Sequence, residues 1–126
     1  MIIRIGVEQV IRLYEDHIHA GKLRDRGLLE GAIAAPFQHV FGREQFPSLA
    51  QKAGKLLDGV QRVQAYTDGN KRLAWVAVNT FLHLNDQVIV DIPADEVNAF
   101  VRGLVGDPQA AVTAAVWLNQ RMRGLL

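Results

Sequence analysis

The sequence predicts an all-α fold, a compact single domain over residues 1–126 built as a bundle of about six helices around a central buried helix. Three observations carry this. Apolar residues recur at three- and four-residue steps along most of the chain. Helix start and stop signals separate these runs. One run, Leu73 to Leu84, is apolar on nearly every side, the pattern of a helix enclosed by others.

Taken in order, Val7, Val10, Ile11, Leu13, Tyr14 and Ile18 predict a first amphipathic helix that stops near Gly21. Asp25 is placed to cap a second, carrying Leu28, Leu29, Ile33 and Ala34 up to the break at Pro36. Ser48, with Gln51 three residues on, has the capping-box spacing and opens a third helix that runs to Gln64. The enclosed helix follows, with Leu73, Val76, Ala77, Thr80, Phe81 and Leu84 on one face. Val88-Ile89-Val90 reads as a short extended piece. Pro93 with Asp95 and Glu96 begins a fifth helix ending near Gly103. Asp107-Pro108 opens the last, with Val112, Val116, Trp117 and Leu118 as its apolar residues.

The chain is 126 residues long, 49% hydrophobic and 21% charged, an ordinary globular composition. A net charge of +1 provides no general field for nucleic acid or an anionic membrane, so anion binding has to be local. There is no cysteine, which excludes thiol catalysis and fits a reducing, cytoplasmic setting. No apolar run has the length of a membrane span, and the N-terminus lacks the order of a signal peptide.

The chemistry concentrates in Gln64-Ala65-Tyr66-Thr67-Asp68-Gly69-Asn70-Lys71-Arg72, where a loop enters the enclosed helix. Lys71 and Arg72 stand in the first turn, where the helix dipole disfavours cations. An anion would make sense of them, because free N–H groups, dipole and both side chains then converge on it. Gly69 lets the backbone come close at positive φ, and Asn70 has an amide to donate to a phosphate oxygen. Asp68, repelled by phosphate, is suited to hold Mg²⁺ or to orient one of the cations. The residues alone leave a second reading open, a solvated Asp-Gly turn that merely starts a buried helix.

The segment Tyr66 to Arg72 resembles the core motif of the Fic/Doc superfamily, His-x-Phe-x-Asp/Glu-Gly-Asn-Gly-Arg in its Fic branch. Lys71 in place of the second-last glycine, and Trp75 where Fic enzymes carry a further arginine, point to the Doc branch of death-on-curing toxins. Leu23 to Glu30 and Pro47-Ser48-Leu49 resemble further segments of the same family. The resemblance implies a toxin of a toxin–antitoxin pair, a kinase that uses ATP and Mg²⁺ to phosphorylate a threonine of elongation factor Tu, blocking translation and arresting growth. It also implies a cognate antitoxin whose helical C-terminal segment lies in a groove of the toxin. By position, Lys71 and Arg72 would bind phosphates, Gly69 and Asn70 would help clamp them, Asp68 would serve the metal, and Tyr66 would stand for the anchoring phenylalanine.

The family's catalytic histidine falls on Gln64. A glutamine amide takes no proton at neutral pH, and losing a general base typically costs about 10²–10⁴ in rate. Gln64 is therefore read as an inactivating change, introduced or natural, that leaves binding better preserved than turnover. The alternatives are a Fic-type nucleotidyl (AMP) transferase, against which Lys71 and Trp75 argue, and a catalytically dead binding module held by an antitoxin.

Other candidates carry less. His17 and His19, two apart on a helix, share no ligand face. His39 and His83 lack partners at ligand spacing, and His83 lies roughly 18 Å along the helix from Lys71 at 1.5 Å per residue. Trp75 and Trp117 read as core, and Asp95, Glu96 and Asp107 as helix-start chemistry.

Overall fold

Two predicted start signals are present atom for atom. Asp25 Oδ1 accepts from the Leu28 N–H, and Ser48 and Gln51 exchange reciprocal hydrogen bonds between side chain and backbone. In the computed structural model, which describes residues 1–125, these open α2 (Arg26–Ala34) and α3 (Leu49–Val63). The remaining helices are α1 (Val7–His17), α4 (Asn70–Leu84), α5 (Ala94–Gly103) and α6 (Ala110–Asn119), giving the six expected. A 3-10 turn, Ala35–Phe37, continues α2 through Pro36. No helix among the described residues is long and apolar enough to cross a membrane.

Two antiparallel strand pairs are added to the bundle. A hairpin joins β1 (His39–Val40) to β2 (Arg43–Glu44), and β3 (Gln87–Ile89) pairs with β4 (Met122–Gly124), Val88 opposite Arg123. The extended piece at Val88 was expected; its partner and the hairpin were not, because two- and three-residue strands leave no alternation to read.

The centre of the bundle is shared by two helices. α3 packs against α2, α4, α6 and the 3-10 turn, with Ala53, Leu56, Leu57 and Val60 essentially inaccessible. α6 lies so near that a Cβ on Gly54 would stand 2.6 Å from both Ala111 O and Ala115 N. In α4 the sealed residues are Leu73, Ala74, Ala77, Val78, Phe81 and Leu82, while Trp75, Val76, Thr80 and Leu84 are half-buried. The expected face is thus rotated, and one flank of α4 borders open surface.

α6 also departs from expectation. It begins at Ala110 because Asp107 caps it from outside, accepting from Gln109 N and Thr113 Oγ1. Its buried face is Ala110, Ala114, Ala115 and Leu118; Val112 and Val116 are 59% and 55% exposed. Only small side chains fit against Gly54, so the valines turn outward.

At the end of α3 away from the α3–α4 loop, a buried lysine secures the first turn. Lys52 is 1% exposed and donates to Phe46 O and Pro36 O, with Glu44 at 3.4 Å, tying the hairpin to the bundle.

Candidate functional site

Two left-handed residues bracket the motif loop. Gln64, at φ 49° and ψ 52°, ends α3, and Gly69, at φ 80° and ψ 14°, precedes α4. A Cβ at Gly69 would lie 2.6 Å from Ile18 Cγ2, so glycine is required there by space as well as by φ.

The loop between them is moulded against an upstream segment. Arg24 N and Asp25 N donate to Ala65 O, Thr67 N donates to Lys22 O, and Lys22 N donates to Thr67 Oγ1. Arg24 Nη2 donates to Gln64 O at 2.6 Å and holds the end of α3. Tyr66 points inward, 3% exposed, and its ring stacks on Tyr14 at 3.5 Å and 17°. Tyr14 Oη in turn donates to Asp68 O. Asn70 Nδ2 donates to Tyr66 O and its Oδ1 accepts from Tyr66 N. One amide hydrogen of Asn70 remains for a ligand. Burial raises the Tyr66 phenol above its ordinary range, helped by Tyr14 and Glu15, and its hydroxyl has no hydrogen-bond partner.

With the backbone so held, Gln64, Asp68, Gly69, Asn70, Lys71 and Arg72 line one open cleft of about 350 Å³, joined by Thr67 and Gln61. The backbone N–H groups of Asn70, Lys71 and Arg72 have no acceptor among the described residues, and Gly69 caps nothing with a side chain. Lys71 and Arg72 are exposed and pair with no described carboxylate. No described ion pair joins Asp68 to either cation. Its Oδ1 accepts from Gly69 N at 2.7 Å, and Asp68 is the sole carboxylate lining the cleft. No cluster of three or more metal-ligating side chains exists among the described residues. This donor set fits Mg²⁺ only in the manner of one carboxylate together with phosphate oxygens and waters.

Gln64 faces the cleft with its side chain exposed, and none of the four histidines lines it. His39 Nδ1 lies 3.1 Å from Phe37 O, and His83 is exposed further along α4. His17 borders a neighbouring hollow of about 210 Å³ shared with Lys71, Arg72 and Trp75. Trp75 and Trp117 are half-buried and meet edge to face at 6.0 Å. Gln61, Lys22 and Tyr14 were missed in the sequence. Gln61 lies in the last turn of α3, three residues before Gln64, where a single amide in an apolar run gives no signal of its own.

The model of the Fic/DOC family matches residues 2–82, which include α1 to α3, the cleft and most of α4. The chain belongs to the Fic/Doc family. Among curated relatives, it is 47% identical over 75 residues to Toxin Doc of Mycolicibacterium smegmatis (strain ATCC 700084 / mc(2)155). That match covers 59% of this chain and 58% of the relative, so the chain spans somewhat over half the length of the toxin it resembles. No solved structure matches. Membership of the Fic/Doc family agrees with the helical bundle, and the matched region ends before α5, α6 and β4, which complete the core around α3 and α4.

Proposed function

We propose that this chain is the toxin of a toxin–antitoxin pair, a Doc-type protein kinase that phosphorylates a threonine of elongation factor Tu with ATP and Mg²⁺, and that Gln64 impairs it. The observation that carries the reading is the start of α4, where free N–H groups, Lys71 and Arg72 face a cleft with no counter-charge but Asp68. A helix N-terminus with unpaired cations is built for phosphate. Mg²⁺ bound with ATP would supply charge neutralisation on the phosphate oxygens.

Lys71 and Arg72 take the negative charge that develops on the transferred group, from a backbone position fixed by Gly69. Asn70 keeps the loop in register through Tyr66, and Asp68 is the carboxylate available to a metal. The missing element is a base. Gln64 stands where the acceptor hydroxyl would need one, and its amide accepts no proton. Phosphoryl transfer depends chiefly on positioning and charge stabilisation, so slow turnover survives.

A second reading follows from the same residue: a binding module, without turnover, held by an antitoxin. A helical antitoxin segment needs exposed apolar side chains, and Val112 and Val116 on α6 are of that kind.

The test incubates the chain and its Gln64→His variant with elongation factor Tu and ATP labelled at the α or the γ position. Transfer from γ alone, faster with Gln64→His, supports the kinase. Transfer from α indicates a nucleotidyl transferase, and transfer from neither leaves the binding module.

A further inference from the structure

α3 buries three polar side chains, and two of them are bonded. Lys52 has its carbonyl and carboxylate acceptors, and Asp58 accepts from the Arg62 guanidinium at 2.7 Å. Gln61 is the third. It is 4% exposed, yet its amide makes no hydrogen bond with any described residue. Buried side-chain amides nearly always have partners, and an unbonded one is destabilising.

The position of Gln61 explains the exception. It lines the cleft together with Gln64, the residue three positions on that ends α3, and with Lys71 and Arg72. Its polar atoms are not sealed, since Tyr66 Oη is the buried side-chain atom left unbonded among the described residues. The stem of Gln61 is thus packed in the core while its amide opens on the site.

We propose that Gln61 is a ligand-contacting residue whose Nε2 donates to an oxygen of the terminal phosphoryl group held at the start of α4. This rests on the phosphate-site reading given above. The donor end is assigned because the α4 N–H groups and both cations of the cleft select an anion, and an anionic oxygen accepts hydrogen bonds only. The neutrality of Gln61 matters for the same reason: a carboxylate of equal length would confront the phosphate with like charge.

Calorimetric titration of the full chain with Mg²⁺–ATP, and separately with inorganic pyrophosphate, tests this on Gln61→Met, Gln61→Glu and Lys71→Ala. Gln61→Met keeps the volume and removes the amide. Its affinity for both probes should fall about tenfold, the scale of a hydrogen bond to a charged group, while the Tm of the free protein stays level or rises. Gln61→Glu should weaken binding further at neutral pH, and decides the matter if Gln61→Met does not fold. Wild-type affinity in Gln61→Met or Gln61→Glu, with binding lost in Lys71→Ala, overturns the role of Gln61 and leaves the phosphate site standing. Weakening toward ATP but not pyrophosphate also overturns it, placing the contact elsewhere on the nucleotide. No binding of either probe by the wild-type chain overturns both readings.

Discussion

Asn70 holds Tyr66 by both ends of its peptide unit, accepting from Tyr66 N at 3.1 Å and donating to Tyr66 O at 2.8 Å. One residue, four positions on, thereby closes the loop and starts α4. The amide that the sequence offered to a phosphate is mostly committed to backbone.

Asn70→Ala removes both bonds and leaves a part-buried N–H and C=O unpaired. At about 0.5–1.5 kcal/mol per bond, the stability loss should be about 1–3 kcal/mol, read from urea unfolding. Because Lys71 and Arg72 lose their anchored start, ATP affinity should drop alongside. A stability loss with unchanged affinity would mean that the cations hold their positions without the clamp.

Tyr66→Phe should stabilise the protein. The hydroxyl is buried without a partner, whereas the stack on Tyr14 needs only the ring. Removing an unpaired buried group of this kind recovers about 1 kcal/mol, visible as a higher Tm.

The same hydroxyl has a pH signature. Burial raises its folded pKa above that of an ordinary phenol, so the neutral form is favoured in the folded state. That contribution is fully present below pH 10.0 and is lost as pH rises from there through the folded pKa, where the unfolded chain ionises first. Stability measured across this alkaline range should decline less in Tyr66→Phe than in the parent.

Gln64→His should be tolerated structurally. The backbone there is left-handed, at φ 49°, a region in which histidine is enriched, and the side chain is exposed. Unfolding free energy should stay within about 0.5 kcal/mol, while phosphoryl transfer rises by about 10²–10⁴. A variant that folds as the parent does and gains no rate would show that the cleft lacks more than a base.

Gly54→Ala should be costly for a residue in mid-helix, where alanine ordinarily helps. The added methyl meets Ala111 O and Ala115 N at 2.6 Å, so α3 and α6 must separate. Overpacking of this kind costs about 1–3 kcal/mol; circular dichroism melting would register it, and a rise in Tm would contradict the close approach.

Helices were legible in this sequence wherever caps and periodicity agreed. Asp25, Ser48 and Pro93 marked starts that the structure keeps within a residue or two. Asp107 misled by that margin because its carboxylate reaches forward to Gln109 and Thr113 instead of opening the helix itself. The inward face of α6 was hidden by its own hydrophobicity: valines and alanines both read as apolar, and only contact with Gly54 selects the alanines. At the site, charge and spacing pointed to Lys71, Arg72 and Asp68, and the resemblance to the family motif pointed to Gln64; all four line the cleft. Gln61 stayed unseen because a single amide within a buried run carries no periodic signal. The bonds from Lys22 and Arg24 stayed unseen because they join residues 45 and 40 positions apart.

Those long-range bonds bear on the order in which the molecule comes together. α3 and α4 carry the cleft's side chains and are neighbours in the chain, so they can pair early through local contacts. The curve between them is completed only when Lys22 to Asp25 docks across Ala65 and Thr67, closing a segment of about forty residues at an entropic cost that local pairing does not have. Helix formation in α3 and α4 therefore does not wait on the motif loop, whose shape depends on that longer closure.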